Sequence, residues 1–304
     1  MQFDGKDLVA DVDSPLVTVI IASYNHASYI EKSVGSVLAQ TYPAIELLVV
    51  DDGSSDDSVA RIEAMQAVHG FDFRTQANQG LSRTLNAAIE RARGRFIVPF
   101  GSDDIMLPNR IAHQVDYLRD KPEVGICAGC LELIDSEGCV LPDARQRRRD
   151  LPFRRLDFLD LFLDRKRFPP APTLMLRRDC LLQVGGFDPG IRLEDLQIQL
   201  KIAHAGYFID VLGEVLAQYR VHDTNTFKNL RFMVDNVLRS YALFADHPQY
   251  EQARARFLNS MLLKVARKDA ALGRELLAQV PWRYWNSKTL RGAWRLVASR
   301  GGER

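Results

Sequence analysis

The sequence lacks the features that mark membrane-spanning and disulfide-stabilised proteins. No apolar run approaches the roughly 18 residues of a membrane-spanning helix, and the acidic start, MQFDGKDLVADVDSP, has no apolar segment of the kind found in a secretory signal. The chain has four cysteines. Cys127 and Cys130 form a C-x-x-C pair, but no second Cys or His pair follows at zinc-site spacing. We therefore expect a cytoplasmic protein with reduced, buried thiols.

An excess of charge of one sign is also missing. The 40 Lys and Arg residues nearly balance the 39 Asp and Glu residues, which gives a formal net charge of +1. Since nucleic-acid-binding domains usually carry a basic excess, we expect no nucleic-acid partner. A hydrophobic fraction of 46% is ordinary for a globular protein, and 304 residues suffice for one large domain with an appendage.

Strand and helix signals alternate along the first hundred residues. Short apolar, β-branched runs predict strands at residues 16–21, 45–50, 71–75 and 96–100, and amphipathic segments between them predict helices. The first helix shows a capping-box pattern at residues 28–31, SYIE. This alternation predicts an α/β fold with a doubly wound, mixed but mainly parallel, Rossmann-like sheet.

The rest of the chain is less regular. VGICAGCLELI at residues 124–134 predicts another strand, whereas the basic stretch 143–155 predicts a mobile loop. Strand signals stop near Thr226, and helical patterns follow to the end of the chain. We therefore predict a domain over residues 1–226 and a helical C-terminal extension over residues 227–304.

Three pairs of adjacent acidic residues stand where predicted strands or loops end: Asp51–Asp52, Asp103–Asp104 and Glu194–Asp195. Open α/β sheets bind ligands in the crevice at the carboxyl ends of their strands. Carboxylates that converge there suit a divalent cation and a phosphate-bearing substrate. The pattern therefore predicts an enzyme that handles a nucleotide.

Each pair also has a purely structural interpretation. Asp51–Asp52 is equally typical of a polar turn, and Asp103–Asp104 can cap a helix that starts near Pro108. Acidic residues such as Glu194–Asp195 are favoured in the first turn of any helix by its dipole. As functional groups, the three pairs suit a nucleoside contact, a cation site and a general base.

Three cationic residues are further candidates. Arg220 and His222 follow an apolar stretch and suit an anionic leaving group, with His222 also a possible metal ligand. Arg83 stands near a predicted helix start, where it suits a phosphate. Solvated or structural roles are alternatives for all three.

The predicted C-terminal helix is basic and amphipathic. Leu290, Ala293, Trp294 and Val297 share one face, and several Lys and Arg residues accompany them. Trp282, Tyr284 and Trp285 stand just before this helix. Residues 281–304 therefore suit the surface of an anionic membrane, which would make the protein peripheral on the inner face of the cytoplasmic membrane. The alternative is a helix packed on the main domain.

Taken in order, several segments resemble glycosyltransferase family 2, whose members are inverting enzymes with a GT-A fold. The resemblance covers about residues 15–226, in the segments VTVIIASYNHASYIEKSVGSVLAQTYPAIELLVVDDGSSDDS, NQGLSRTLNAAIERARGRFIVPFGSDD, LMLRRDCLLQVGGFD, LEDLQIQLKIAHAG and YRVHDTNT. It implies a nucleoside-diphosphate sugar donor of the UDP or dTDP type, and a glycan or lipid-linked acceptor in bacterial surface polysaccharide or lipopolysaccharide synthesis.

The resemblance also implies roles for single residues. Asp195 matches the catalytic base and Glu194 would orient it, while Asp103 and His222 would hold a divalent cation, Mg²⁺ or Mn²⁺. Arg220 would meet the diphosphate. The residues implied in nucleotide binding are Ala22, Tyr24, Asp52, Arg83, Ser102 and Asp103.

Two features limit what the resemblance implies. The family's D-x-D motif begins with an acid, whereas this chain has Gly101, so Asp103 would hold the cation with less help from the protein, through the diphosphate and His222. The Q-x-x-R-W signature of chain-polymerising members is absent from the sequence. Two alternatives are a nucleotidyltransferase, which usually has a Gly-rich phosphate loop where ASYNHASY stands here, and a non-catalytic nucleotide-binding homologue.

Overall fold

A computed structural model describes residues 14–146, 149–222 and 229–298 of the chain. The strands are β1 Val17–Ser23, β2 Ile45–Asp51, β3 Asp72–Thr75, β4 Phe96–Gly101, β5 Ile105–Met106, β6 Val124–Ile134, β7 Arg154–Leu156, β8 Met175–Arg177 and β9 Phe208–Arg220. The helices are α1 Ile30–Leu38, α2 Ser58–His69, α3 Leu81–Arg91, α4 Arg110–Leu118, α5 Phe158–Phe162, α6 Arg178–Gln183, α7 Glu194–His204, α8 Leu230–Ala242, α9 Tyr250–Val265, α10 Ala270–Gln279 and α11 Ser287–Ala298.

The described strands form one nine-stranded sheet with the order β3-β2-β1-β4-β8-β6-β9-β5, and β7 also pairs with β9. The first four strands in this order are parallel, and β6 is parallel to β9. Strand β8 is antiparallel to both of its neighbours, and β5 and β7 are antiparallel to β9. The prediction of a mixed, doubly wound sheet is therefore confirmed.

The apolar runs form central strands because both faces of the sheet are covered. In β1, Ile20 belongs to one hydrophobic core, whereas Val19 and Ile21 belong to the core on the opposite face. Side chains alternate between faces along a strand, so a strand buried on both faces needs apolar residues at every position. Helix α3 packs Leu85 and Ile89 onto the Ile20 face.

Two local predictions are wrong. Helix α1 begins at Ile30, and the N–H groups of Tyr29 and Ile30 donate to the His26 carbonyl oxygen, both at 2.9 Å, in place of the predicted capping box. The loop predicted over residues 143–155 is wrong at its end, where Arg154 and Arg155 belong to β7 against β9 and Arg155 binds the buried Asp210 at 2.7 Å.

The C-terminal helices divide between two cores. Helix α8 adds Val237 and Tyr241 to the core that α5 and α7 share with the sheet, where the Tyr241 ring lies 5.1 Å from that of Phe162. Helices α9 to α11 build a separate core around residues such as Leu262. The predicted boundary at Thr226 lies outside the described residues. Among the residues that are described, no helix is both long and apolar enough to cross a bilayer.

Candidate active site

A cavity of about 440 Å³ opens beside the carboxyl ends of β1 and β4. This position, where the connections from adjacent parallel strands diverge to either side, is where open α/β sheets bind ligands. Six residues predicted from the sequence line it: Ala22, Ser102, Asp103, Glu194, Asp195 and His222. The two later acidic pairs therefore lie on the wall of one cavity, although some 90 residues separate them in sequence.

Strand pairing brings Asp103 and His222 together. The short strand β5 starts directly after Asp104 and pairs antiparallel with the end of β9, with Ile105 opposite Gln218. Beyond that end, His222 Nε2 lies 2.9 Å from Asp103 Oδ2. Helix α4 begins at Arg110, and Asn109 is its N-cap residue. Asp103–Asp104 therefore does not cap the helix near Pro108.

His26, which the sequence interpretation missed, joins this pair. One ligand atom from each of His26, Asp103 and His222 lies within 4.8 Å of the other two. The imidazole Nδ1 of His26 also lies 2.7 Å from the Ser102 hydroxyl. A signal for His26 was present in the sequence, since it stands three residues after β1 at the same edge as the acidic pairs.

Burial and neighbouring charges set the ionisation of this cluster. Burial alone would raise the pKa of Asp103, but the hydrogen bond from His222 and the charge of His26 outweigh it, so the pKa lies below its ordinary value. Burial, and then the charge of Asp103, raise the pKa of Asp104 well above its ordinary value. Burial lowers the pKa of His26. At neutral pH the cluster therefore offers a carboxylate and a neutral imidazole, both able to bind a cation.

Glu194 and Asp195 form the first turn of α7 on the cavity wall. The N-terminus of a helix favours negative charge, yet burial, and then the charge of Asp195, raise the pKa of Glu194 to about 8. A neutral Glu194 beside Asp195 leaves the pair with one negative charge at pH 7. Such a pair can accept a proton from a substrate hydroxyl.

Three of the predicted nucleotide contacts lie away from the residues that line this cavity. Asp52 is buried, and its carboxylate accepts hydrogen bonds from the N–H groups of Gln79 and Gly80, both at 2.9 Å. Tyr24 is half-exposed. Arg83 lines an adjacent cavity of about 630 Å³, which shares Glu194 with the first.

Arg220, which was predicted to meet the diphosphate, is hydrogen-bonded to the loop that carries Asp103 and Asp104. It is fully buried, and its guanidinium donates to the main-chain carbonyls of Asp103, Asp135 and Ser136 at 2.8 to 3.0 Å. Its N–H also donates to Asp104 Oδ1 at 2.9 Å. In this arrangement Arg220, the last residue of β9, holds the Asp103–Asp104 loop in place, and it is not among the residues that line the cavity.

A larger surface depression, of about 880 Å³, lies at the opposite edge of β2 and β3. Its charged side chains are paired with one another, Arg93 with Glu46 at 2.6 Å and Arg91 with Asp72 at 2.9 Å. Mutually neutralised surface pairs of this kind carry little chemistry. We therefore place the active site in the smaller cavity.

Sequence comparisons identify the family of the chain. The sequence model of the glycosyl transferase family 2 matches residues 18–178, more than half of the chain. An uncharacterized glycosyltransferase of Rickettsia prowazekii is 30% identical over 227 residues, which cover 71% of this chain and 67% of that protein. The O-antigen biosynthesis glycosyltransferase WbnJ of Escherichia coli is 27% identical, over 70% of this chain and 83% of its own.

Solved structures share the fold. The mannosyltransferase PcManGT from Pyrobaculum calidifontis, in complex with GDP-Man and Mn²⁺, aligns with a TM-score of 0.60 and 20% identity over 97% of this chain and 89% of its own. S. aureus TarS in complex with UDP-GlcNAc gives a TM-score of 0.65 and 18% identity over 88% of this chain and 82% of its own. The chain belongs to glycosyltransferase family 2, and its fold is of the GT-A type.

Proposed function

We propose that this enzyme is an inverting glycosyltransferase that moves a sugar from a nucleoside-diphosphate sugar to a hydroxyl group of a glycan acceptor. One observation carries the proposal. The Glu194–Asp195 pair and the Asp103–His222 pair line the same cavity, which supports a general base and a diphosphate site in one substrate-sized space.

The side chains of this cavity support a single displacement. Asp195 accepts the proton of the acceptor hydroxyl as its oxygen attacks the anomeric carbon of the donor. The bond between that carbon and the diphosphate oxygen breaks on the opposite face, so the anomeric configuration inverts. Glu194, neutral below about pH 8, keeps a second negative charge away from Asp195 and the departing diphosphate.

The donor set at Asp103 fits a divalent cation, which we propose to be Mg²⁺ or Mn²⁺. Asp103 supplies a carboxylate oxygen and His222 an imidazole nitrogen, 2.9 Å apart, which is a normal separation for two ligands of one ion. A cation held there would neutralise the charge that develops on the nucleoside diphosphate as it leaves.

Analogy with the compared proteins supports the proposed class of donor and acceptor. Related proteins bind GDP-Man and UDP-GlcNAc, and another relative acts in O-antigen biosynthesis. We propose a donor of the UDP or dTDP type, a glycan or lipid-linked acceptor, and a role in bacterial surface polysaccharide or lipopolysaccharide synthesis. Ala22 and Ser102 lie on the cavity wall, where we propose that they contact the nucleotide.

The test is a panel of UDP-, dTDP- and GDP-sugars incubated with the protein, Mn²⁺ and lipid-linked glycan acceptors. We expect acceptor-dependent release of one nucleoside diphosphate and a product of inverted anomeric configuration. Asp195→Asn should abolish release but keep nucleotide binding. Pyrophosphate released from a nucleoside triphosphate would instead identify a nucleotidyltransferase, and binding with no turnover would identify a non-catalytic homologue.

Residues 1–226 remain our proposal for the catalytic domain, with residues 227–304 as a helical extension. The extension also contributes to the site, because Met233 of α8 lines the cavity. The amide oxygen of Asn236 in α8 accepts a hydrogen bond at 2.7 Å from the N–H of Arg192, three residues before Asp195. We therefore propose that α8 helps to fix the loop that leads into the catalytic pair.

We further propose that α11 holds the enzyme on an anionic membrane. Its exposed face carries Leu290, Trp294 and Val297, which are 60%, 68% and 71% exposed, and Trp282 nearby is 85% exposed. The opposite face, with Leu296 at 5% exposure, packs on α9 and α10. Large exposed aromatic side chains beside basic ones suit the boundary between lipid headgroups and acyl chains.

Sedimentation with vesicles tests this surface. The double variant Trp282→Ser/Trp294→Ser should lose binding to vesicles that contain phosphatidylglycerol, and wild type should bind pure phosphatidylcholine more weakly. Val68→Ser is the matched control, since Val68 in α2 is 76% exposed but lies on another element. Equal sedimentation of the double variant and the control would reject the membrane surface.

A further inference from the structure

We infer that His26 is a third protein ligand of the cation, and that the set His26–Asp103–His222 selects a first-row transition ion such as Mn²⁺ over Mg²⁺. This inference concerns the cation site of the proposed function. It depends on metal binding alone, which can be measured without a sugar donor or acceptor.

The geometry of the cluster carries the inference. Potential ligand atoms of His26, Asp103 and His222 all lie within 4.8 Å of one another, and each of these side chains lines the cavity. Two ligands on opposite sides of a first-row ion are separated by roughly 4 to 4.5 Å, so small side-chain rotations let all three reach one ion. The three residues come from distant parts of the sequence, after β1, after β4 and after β9.

The glycine at position 101 points to the same conclusion. A β-carbon built on Gly101 would lie 2.9 Å from Asp103 Oδ1 and 2.9 Å from Asp104 Oδ2, closer than ordinary contacts. A carboxylate at position 101 would also repel the charge of Asp103. The acid that begins the family motif would therefore require both of these carboxylates to move, whereas the imidazole of His26 offers a donor from the neighbouring strand end.

The second nitrogen of His26 is held as it is in established metal sites. His26 Nδ1 lies 2.7 Å from Ser102 Oγ. Metal-bound histidines usually engage their other nitrogen in a hydrogen bond, which fixes the ring orientation. With Nδ1 engaged by Ser102, Nε2 is the nitrogen left for the ion.

The ligand types determine which ion is preferred. Mg²⁺ is a hard ion that favours oxygen ligands and keeps several waters, whereas imidazole nitrogen suits the transition ions. Two imidazoles and one carboxylate therefore favour Mn²⁺, whose remaining positions suit diphosphate oxygens. A set made of carboxylates alone would lack this preference.

Titration with Mn²⁺, followed by the electron paramagnetic resonance signal of the free ion, tests the inference on the full chain. We expect wild type to bind Mn²⁺ at least about tenfold more tightly than Mg²⁺, measured by competition. His26→Ala should weaken Mn²⁺ binding by about 30-fold but change Mg²⁺ binding little. His26→Asp should shift the preference towards Mg²⁺.

His69→Ala, on an exposed residue at the end of α2, is the matched control and should bind both ions as wild type does. Thermal unfolding without metal checks that each His26 variant is folded. Equal Mn²⁺ affinity in folded His26→Ala and wild type would overturn the inference, as would a wild type that binds Mg²⁺ as tightly as Mn²⁺. If His26→Ala lost the Mn²⁺ selectivity of wild type while wild type showed no sugar transfer, the result would support this inference and reject the proposed function alone.

Discussion

The two acidic pairs on the cavity wall contain similar groups but have different surroundings. Asp103 faces two imidazoles, and Asp104 accepts a hydrogen bond from the N–H of Arg220 at 2.9 Å. Glu194 and Asp195 instead form the first turn of α7, where the helix dipole acts on them. Like chemistry in unlike surroundings is a common way to give two carboxyl pairs separate tasks.

In each pair the pKa of one carboxyl is raised, which lowers the repulsion between the two groups. Burial and the charge of Asp103 raise the pKa of Asp104, and burial and the charge of Asp195 raise the pKa of Glu194 to about 8. The remaining charge of the first pair lies among imidazoles and suits a cation. The remaining charge of the second pair lies on the cavity wall, where it suits the acceptance of a proton. The residues around each carboxyl pair, more than the acidic sequence pattern, therefore determine what the pair can bind.

The largest expected effect comes from Asp195→Asn. Because the amide cannot accept the hydroxyl proton, we expect kcat to fall by about 10³-fold, while nucleotide affinity measured by calorimetry stays near the wild-type value. Glu194→Gln should lose much less activity. A larger loss in Glu194→Gln than in Asp195→Asn would mean that the roles within this pair are reversed.

A smaller effect is expected from Asp103→Asn, which removes the charged ligand of the other pair. We expect Mn²⁺ affinity to fall by about 100-fold in the paramagnetic titration. Asp104→Asn should have a much smaller effect, since Asp104 is buried and its Oδ1 accepts a hydrogen bond from the Arg220 N–H. Equal losses in the two variants would show that the pair binds the ion as a unit.

The pH dependence of stability should separate the pairs further. The folded-state pKa of Glu194, about 8, lies above the ordinary value of 4.5, so the folded protein holds a proton that the unfolded chain has lost. Glu194 therefore destabilises wild type increasingly as the pH rises from about 4.5 towards 8.

Glu194→Gln removes this cost. Urea unfolding should show the variant gaining about 2 kcal/mol over wild type between pH 5 and pH 7.5, allowing for solvent screening. Glu63→Gln, on the exposed surface of α2, is the control and should show no such trend. A constant difference between Glu194→Gln and wild type over this range would contradict the assignment of the raised pKa.

The smallest expected effect concerns Ser102, whose hydroxyl lies 2.7 Å from His26 Nδ1. Ser102→Ala should lower Mn²⁺ affinity by about tenfold, because the imidazole loses the contact that orients it. Ser102→Thr, which keeps the hydroxyl, should restore most of the affinity. The ring centroids of His26 and Tyr29 lie 6.0 Å apart. An unchanged affinity in Ser102→Ala would show that packing against Tyr29 is enough to orient the His26 imidazole.

The sequence predicted the parallel part of the sheet to within a residue or two. The strand predicted at 45–50 is Ile45–Asp51, and that predicted at 124–134 is Val124–Ile134. These strands are buried on both faces, which makes them continuous apolar runs. Strand β5 was missed because two residues, Ile105–Met106, are too few to show a pattern. The start of β9 was missed as well, since Phe208–Arg220 mixes apolar and polar residues.

The candidate site was likewise predicted in part. Asp103, Asp195 and their neighbours stand in motifs that the sequence displays, and the fold brings both pairs to one cavity. The placement of Asp52 and Arg220 was beyond sequence reasoning, because hydrogen bonds to loops 76–80 and 135–136 determine which way each side chain faces. His26 was missed because its position just after the first strand was its one signal, and a single histidine belongs to no spaced motif.

The sequence by itself therefore determined the fold family, the positions of the parallel strands along the chain and the acidic motifs. Local patterns and side-chain chemistry are enough for these. The tertiary structure decided which residues meet. Pairing of β5 with β9 places His222 beside Asp103, and the end of β1 places His26 beside both. Sheet registry and loop hydrogen bonds act between residues far apart in the chain, so no local pattern records them.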